Sequence, residues 1–208
     1  MSPNYNIHPE FFFNPHAVEG VVDFNKVFNR KAPLQIEIGS GKGTFLVSQA
    51  KAFPEINFIG IEWASRYYRH SVDRMYRHNL TNVRMVRDEA AKFIAEHLAD
   101  SVVDFYHIYF PDPWHKKRHN KRRFVCEENV EQMVRTLKPG GVINIATDHP
   151  DYYEQMKEVL IDRDLPYIEQ VPYTKPVGAR EGEMAGTNFE RKYIVEGRIT
   201  NTIAVRKK

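Results

Sequence analysis

The stretch Leu34-Gln-Ile-Glu-Ile-Gly-Ser-Gly-Lys-Gly43, LQIEIGSGKG in one-letter code, joins an apolar run to a glycine-rich turn. Its first half, Leu34–Ile38, is a short apolar run typical of a buried strand, and its second half supplies three glycines. A helical pattern follows from Thr44 to Phe53 and is stopped before Pro54. A strand that enters a helix through a glycine turn indicates the start of a parallel α/β unit.

The same order of strand and helix repeats along the chain. We predict strands at 57–62, 83–87, 103–110, 142–147 and 167–171, helices at 64–78, 90–98, 127–137 and 152–161, a turn at 138–141, and an alternating pattern at 198–205. Strands that alternate with helices indicate a parallel sheet covered on both faces. We therefore predict a doubly wound, Rossmann-like α/β domain at 34–208, mostly parallel with an antiparallel C-terminal strand, preceded by an irregular N-terminal arm at 1–33 that packs through its phenylalanines.

Composition narrows the class of protein. With 208 residues, of which 42% are hydrophobic, the chain is long enough to bury one sizeable core. The formal net charge of +3 is mild, but the cations cluster, which favours a polyanionic partner. The single cysteine excludes a disulfide framework, and neither a signal peptide nor a membrane-spanning apolar run is visible. We expect a cytoplasmic protein without a membrane partner, either a monomer or a homodimer.

The glycine turn admits three interpretations. A P-loop requires a glycine where Ile36 stands, and the dinucleotide fingerprint G-x-G-x-x-G does not match G-x-G-x-G. Glu37, two places before Gly39, would repel a pyrophosphate but suits a cofactor that carries an ammonium group. Glu62, at the end of the next strand, is placed to accept hydrogen bonds from ribose hydroxyls. Together with Gly41, these residues favour S-adenosylmethionine over a nicotinamide cofactor.

An acid after the third strand completes the predicted cofactor set. Asp88 and Glu89 both lie where a carboxylate can face the adenine amino group, and the sequence does not separate them. Taken alone, a glycine turn and a strand-end acid can also be ordinary connections. The prediction depends on the glycine turn and the acids occurring together, each directly after a strand of the same predicted sheet.

A basic segment follows the fourth strand. The run from Phe110 to Arg123, FPDPWHKKRHNKRR, holds Asp112 between two prolines that fix the backbone on either side. An aromatic side chain follows, and then six cations that can contact an RNA backbone: Lys116, Lys117, Arg118, Lys121, Arg122 and Arg123. A solvated charged face is the simpler alternative. His115 and His119 lack a further ligand, so we predict no metal.

The same run closely resembles the signature of the bacterial tRNA (guanine-N(7)-)-methyltransferases, which are class I S-adenosylmethionine-dependent enzymes. The resemblance extends over about residues 34–205. It implies methylation of N7 of guanine 46 in the tRNA variable loop, with S-adenosylmethionine as donor. By this resemblance, Glu37, Glu62 and Asp112 contact the cofactor and Asp112 is also the catalytic residue. The implied substrate contacts are Lys116, Asp148, Thr187, Asn188, Phe189 and Glu190.

Alternatives stay open for the Thr187–Glu190 motif and for the whole protein. Thr187-x-x-Glu190 also fits a helix capping box, although the sequence after it looks strand-like. The preceding glycine-rich stretch, 178–186, is typical of a mobile lid. At the level of the whole protein, a noncatalytic RNA-binding protein built on a methyltransferase-like fold is the alternative to an enzyme, and a nicotinamide oxidoreductase is a more distant one.

Overall fold

The computed structural model describes residues 8–163 and 165–208, so residues 1–7 of the predicted arm lie outside the described part. The chain divides into two compact units, Met1–Ala99 and Asp100–Lys208. None of the described helices is long and apolar enough to cross a membrane.

The first unit is built on parallel strands. In this unit β3 pairs with β2 on one side and with β4 on the other, and β4 also pairs with β1. The strands are β1 Phe12–Phe13, β2 Leu34–Ile38, β3 Asn57–Ile61 and β4 Val83–Val86; the helices are α1 Phe24–Phe28, α2 Thr44–Ala52, α3 Ser65–Arg77 and α4 Ala90–His97. Side chains from β2, β3 and β4 are fully buried, among them Ile36, Ile59 and Met85. The predicted strands and helices of this unit are confirmed to within a residue or two.

The predicted arm is not irregular throughout. Phe12 and Phe13 form β1, in register with Met85 and Val86 of β4. Helix α1 follows, with the Asp23 side chain accepting a hydrogen bond from the Asn25 backbone at its start. A strand of two residues is too short to show periodicity, so the sequence alone does not reveal it.

The second unit combines parallel and antiparallel pairing. Here β5 pairs with β6 in parallel, while β8 lies antiparallel to both β6 and β7, which confirms the predicted antiparallel C-terminal strand. The strands are β5 Val103–Tyr109, β6 Leu137–Thr147, β7 Ile168–Gln170 and β8 Asn201–Lys207; the helices are α5 Glu127–Thr136, α6 Pro150–Lys157 and α7 Asn188–Val195. Helix α6 continues as a π-helical turn, Glu158–Asp162.

One predicted turn is part of a strand. The segment 138–141 lies within β6, and the register with β5 shifts between Val103 and Phe105. Gly140 has φ +79°, a left-handed conformation in which a residue with a side chain would be strained. The proline and glycines therefore produce an irregularity inside the strand, not a turn before it.

Candidate functional site

The glycine turn after β2 is held against β3 and α3. Gly39, Gly41 and Gly43 all have positive φ, at +74°, +53° and +68°. The backbone N–H of Gly39 donates to the Ile61 carbonyl at 3.0 Å, and the Ser71 hydroxyl donates to the Gly41 carbonyl at 2.8 Å. A left-handed backbone is accessible to glycine at little cost, so the three glycines permit this tight turn.

Glu37 is a buried carboxyl group at the end of β2. Its side chain is only 4% exposed, and its Oε2 has no hydrogen-bond partner among the described residues. Burial raises the pKa of Glu37 to about 8; a hydrogen bond from Ser40 opposes this rise and the charge of Glu62 adds to it. A buried acid without a cation is costly when ionised. A ligand with an ammonium group supplies the missing charge, so this position fits the predicted cofactor.

Glu62 fastens the glycine turn to the end of β3. Its Oε2 accepts a hydrogen bond from the Gly41 backbone at 2.8 Å, and its Oε1 accepts one from the Ala64 backbone at 2.7 Å. Each carboxylate oxygen can accept more than one hydrogen bond, so these contacts are compatible with the predicted bonds from ribose hydroxyls. The contact with Gly41 couples the two predicted cofactor-binding positions.

The structure separates the two acids that follow β4. Asp88 is 4% exposed, accepts a hydrogen bond from the Glu89 backbone at 2.8 Å, and lies 3.5 Å from His16 Nε2. Glu89, in contrast, is exposed at the start of α4, and its side chain forms no capping bond. Of the two candidates, Glu89 is the exposed one, and Asp88 is directed towards His16.

In the second unit, the Pro-Asp-Pro turn lies between two residues with unusual backbones. Phe110 and Trp114 have φ +52° and +49°, although neither is glycine. Such conformations cost free energy and occur preferentially at functional sites. Asp112 is exposed between them. The turn follows β5, and its start is fixed by a hydrogen bond from the Phe110 N–H to the Ala146 carbonyl of β6.

Most of the basic segment faces solvent. Residues Lys117–Arg122 form a 3-10 helix, and the exposed cations are Lys116, Lys117, Arg118, Lys121 and Arg122. The Arg122 guanidinium lies over the Trp114 ring, 5.0 Å from its centroid.

Arg123 differs from these cations. It is buried and donates hydrogen bonds to the Pro113 carbonyl, to Gln155 and to Asp151. The prediction that Arg123 contacts an RNA backbone does not fit this environment, because its donors are already used inside the protein.

Thr187 and Glu190 form a helix cap. The Thr187 hydroxyl accepts a hydrogen bond from the Glu190 backbone at 3.1 Å and begins α7, so the sequence after Thr187 is helical and the strand-like interpretation was wrong. Glu190 is fully buried, and its carboxylate accepts hydrogen bonds from the backbones of Met184, Ala185 and Gly186. The glycine-rich stretch is thus bound to α7 through Glu190. Of the four predicted residues, Asn188 and Phe189 are the exposed ones.

A family model described as "Putative methyltransferase" matches residues 31–200. A tRNA (guanine-N(7)-)-methyltransferase of Alkalilimnicola ehrlichii is 37% identical over 176 residues, which cover 85% of this chain and 73% of that protein. The chain belongs to the tRNA (guanine-N(7)-)-methyltransferase family. A second member, from Chromobacterium violaceum, is 42% identical over 67% of this chain and 62% of its own length, which is less than two thirds of that relative.

A solved structure supports the fold of this family member. A SAM-dependent methyltransferase of Aquifex aeolicus aligns with a TM-score of 0.56 over 96% of this chain and 92% of that one, at 16% identity. At this identity the likeness shows the fold alone. The predicted class I methyltransferase fold is confirmed.

In this tRNA (guanine-N(7)-)-methyltransferase family member, two further residues lie near Asp112 and Asp148: Tyr193 and Arg198. The sequence did not predict either as part of the site. Arg198 donates to Asp148 at 2.7 Å, and its guanidinium lies 4.5 Å from the centroid of the Tyr193 ring. The pKa of Tyr193 is raised, first by burial and then by the negative charge of Asp148, with Asp112 acting in the same direction. Arg198 was assigned to a strand that in fact begins at Asn201. Tyr193 lies on the helix that the sequence did not predict.

Proposed function

We propose that the chain transfers a methyl group from S-adenosylmethionine to N7 of a guanine in tRNA, and that this guanine is position 46 of the variable loop. The buried Glu37 carboxyl group beside a left-handed glycine turn is the single observation that carries the cofactor half of the proposal. The substrate half rests on membership of the family, whose curated relatives carry the name tRNA (guanine-N(7)-)-methyltransferase.

The residues proposed to hold the cofactor are Glu37, Glu62 and Glu89, together with the backbone at Gly39 and Gly41. Glu37 accepts the ammonium group, which stabilises the ionised form of this acid. Glu62 accepts hydrogen bonds from ribose hydroxyls while it keeps the turn closed through Gly41. Glu89 takes the adenine amino group, since Asp88 is directed towards His16. When bound, S-adenosylmethionine supplies an electrophilic sulfonium methyl group.

Asp112 is the proposed catalytic residue, and it also contacts the cofactor. Guanine N7 carries a lone pair and no proton, so its methylation requires no general base. The protein contributes chiefly by orientation, which can supply about 7–11 kcal/mol. The ionised Asp112 stabilises the positive charge that the guanine acquires. The prolines on either side of Asp112 restrict the backbone that carries it.

The tRNA backbone is proposed to lie on the exposed cations Lys116, Lys117, Arg118, Lys121 and Arg122. Lys116 is nearest in sequence to Asp112 and contacts the substrate at the reacting nucleotide. Arg123 holds the segment in place through Asp151 and Gln155.

The remaining substrate contacts are proposed on the surface around α7. Asp148, which pairs with Arg198, and the exposed Asn188 and Phe189 are proposed to contact the nucleotide, and Phe189 is 49% exposed. Thr187 and Glu190 act by shaping this surface, because their polar groups are used in the cap and in the loop.

We propose that the protein acts in the cytoplasm, as a monomer or a homodimer.

The position of the methylated base is tested with matched tRNA transcripts. The wild-type transcript is expected to incorporate label from methyl-labelled S-adenosylmethionine, and a transcript in which adenine replaces guanine 46 is expected to incorporate none. Equal incorporation into both transcripts would reject position 46 while leaving N7 methylation at another guanine intact.

A further inference from the structure

Three metal-ligating side chains meet in the first unit, apart from the proposed cofactor residues. His16 lies in the 3-10 turn Pro15–Ala17, Asp88 follows β4, and His97 is the last residue of α4. Their ligand atoms all lie within 4.8 Å of one another. His16 Nε2 lies 3.5 Å from Asp88 Oδ2. Two imidazoles and one carboxylate therefore converge from three separate segments of the chain.

Two acceptor atoms in this cluster are buried and unsatisfied. Asp88 Oδ2 and His97 Nε2 are both buried without a hydrogen-bond partner among residues 8–163 and 165–208. The Nδ1 atom of His97 lies 3.2 Å from the Gly20 carbonyl oxygen, which can only accept, so Nδ1 carries the hydrogen and Nε2 presents a lone pair. A buried acceptor without a donor costs about 1–3 kcal/mol. A cation that contacts both Asp88 Oδ2 and His97 Nε2 would satisfy these two acceptors.

A proton on His16 does not satisfy the whole cluster. A protonated His16 can pair with Asp88, but that pair leaves the buried His97 Nε2 without a donor. A metal ion accepts lone pairs from all three groups at once. The bond from His97 Nδ1–H to a backbone carbonyl is also the usual outer contact of a metal-bound histidine, since it fixes the ring and its tautomer.

We propose that His16, Asp88 and His97 bind a divalent transition-metal ion of the zinc class. Zinc takes imidazole nitrogen and carboxylate oxygen at about 2.0–2.2 Å, which places tetrahedral ligand atoms roughly 3.3 Å apart. His16 and Asp88 are already near that spacing, and no pair of ligand atoms has to approach by more than about 1.5 Å to close the site. Imidazole ligands favour such an ion over magnesium or calcium. This site departs from the expectation of no metal, which considered only His115 and His119.

A metal at this site fastens the segment that carries His16 to β4 and α4. It also fixes Asp88, whose carboxylate accepts the Glu89 backbone hydrogen bond. The inference does not depend on methyl transfer, because its ligands and its test are separate from the proposed reaction.

The test uses the full chain without a histidine tag, stripped of metal and titrated with zinc against a chromophoric chelator. We expect one equivalent to bind, cobalt(II) to give a d–d absorption band in the same site, and His16→Ala to weaken zinc binding at least tenfold. His78→Ala removes an exposed histidine of the same unit and serves as the matched control, with unchanged affinity.

Thermal unfolding gives a second readout. Zinc is expected to raise the Tm of the wild type and of His78→Ala but not of His16→Ala, since only binding to the folded state stabilises it. His16 is exposed, so its replacement is expected to leave the circular dichroism spectrum unchanged. Zinc affinity or a zinc-induced Tm shift equal in wild type and His16→Ala would overturn the proposal, as would the absence of stoichiometric binding to the wild type.

Discussion

Arg122 and Arg123 are adjacent in the chain but lie in opposite environments. The Arg122 guanidinium lies over the Trp114 ring at the surface. Arg123 is 3% exposed and donates a hydrogen bond to Asp151 at 2.6 Å. This bond is also the main reason why the pKa of Asp151 lies below its usual range. One arginine is therefore available to a ligand and the other holds the basic segment to α6.

Replacing Arg123 is expected to reduce stability, whereas replacing Arg122 is expected to reduce tRNA binding. Arg123→Ala removes hydrogen bonds to three partners and is expected to lower the free energy of unfolding by on the order of 2 kcal/mol. Arg122→Ala is expected to change it by less than about 0.5 kcal/mol while weakening tRNA binding. Urea unfolding and filter binding measure the two effects. Equal loss of stability in both variants would contradict the assignment.

Charge reversal of the exposed cations is expected to reduce the salt dependence of tRNA binding. Each lost phosphate contact lowers the slope of log affinity against log salt by about 0.7–0.9. The variant Lys116→Glu, Arg118→Glu, Arg122→Glu is therefore expected to bind weakly and with a flatter slope. Lys26→Glu, an exposed change in the first unit, is the control. A slope that stays the same in the triple variant would reject this interface.

Glu37→Gln is expected to stabilise the ligand-free protein increasingly as pH rises. Because the pKa of Glu37 is raised to about 8, the folded state keeps a proton that the unfolded state releases above pH 4.5. The wild type therefore loses stability between about pH 4.5 and pH 8, by at most about 1.4 kcal/mol per pH unit. The variant lacks this loss. Urea unfolding at pH 5 and pH 8 measures the difference, with the exposed Glu19→Gln as control.

The same variant separates stability from function. Glu37→Gln is expected to lose S-adenosylmethionine affinity, since a neutral amide does not pair with an ammonium group. In the wild type, binding at pH 7 is expected to release a proton, which calorimetry detects as a binding enthalpy that depends on the buffer. An enthalpy independent of the buffer, with affinity retained in the variant, would show that Glu37 does not receive the ammonium group.

Asp112→Asn is expected to lower turnover roughly 10- to 100-fold through lost orientation and lost charge stabilisation. The loss is expected at every pH, because the proposed mechanism has no titrating base. Single-turnover rates from pH 6 to pH 9 measure it, with the exposed Asp162→Asn as control. Full recovery of the rate at high pH would indicate a general base instead.

Glu190→Gln is expected to release the glycine-rich stretch that precedes α7. The carboxylate accepts three backbone hydrogen bonds, and an amide offers one oxygen and a competing donor in its place. We expect faster limited proteolysis within 178–186 and a lower Tm. Glu181→Gln changes an exposed acid of the same stretch and is the control. Unchanged cleavage would mean that Glu190 does not hold this segment.

The sequence predicted the elements that carry a strong local pattern. The buried strands around Ile36 and Ile59 and the helices between them have clear periodicity, and their order determines the parallel pairing. The glycine turn, Glu37 and Glu62 are predicted to bind the cofactor because they follow strands in a fold whose ligands bind at strand ends. The order of strands and helices along the chain is therefore enough to predict that these residues lie at strand ends.

What the sequence did not predict depends on contacts between distant residues. Arg123 has the same local pattern as Arg122, and only the position of Asp151 and Gln155 makes it structural. Glu190 was interpreted as a substrate contact, although its partners are backbone groups of a loop. The meeting of His16 with His97 joins segments about 80 residues apart, and no spacing rule covers such a pair.

Methyl transfer to guanine N7 is tested by identifying the nucleoside that receives the label. The purified protein is incubated with unmodified tRNA and methyl-labelled S-adenosylmethionine, and the digested nucleosides are identified by mass spectrometry. We expect labelled 7-methylguanosine from the wild type and little label from Asp112→Asn. Binding of tRNA without any labelled nucleoside would contradict it and would favour a noncatalytic RNA-binding protein on a methyltransferase fold.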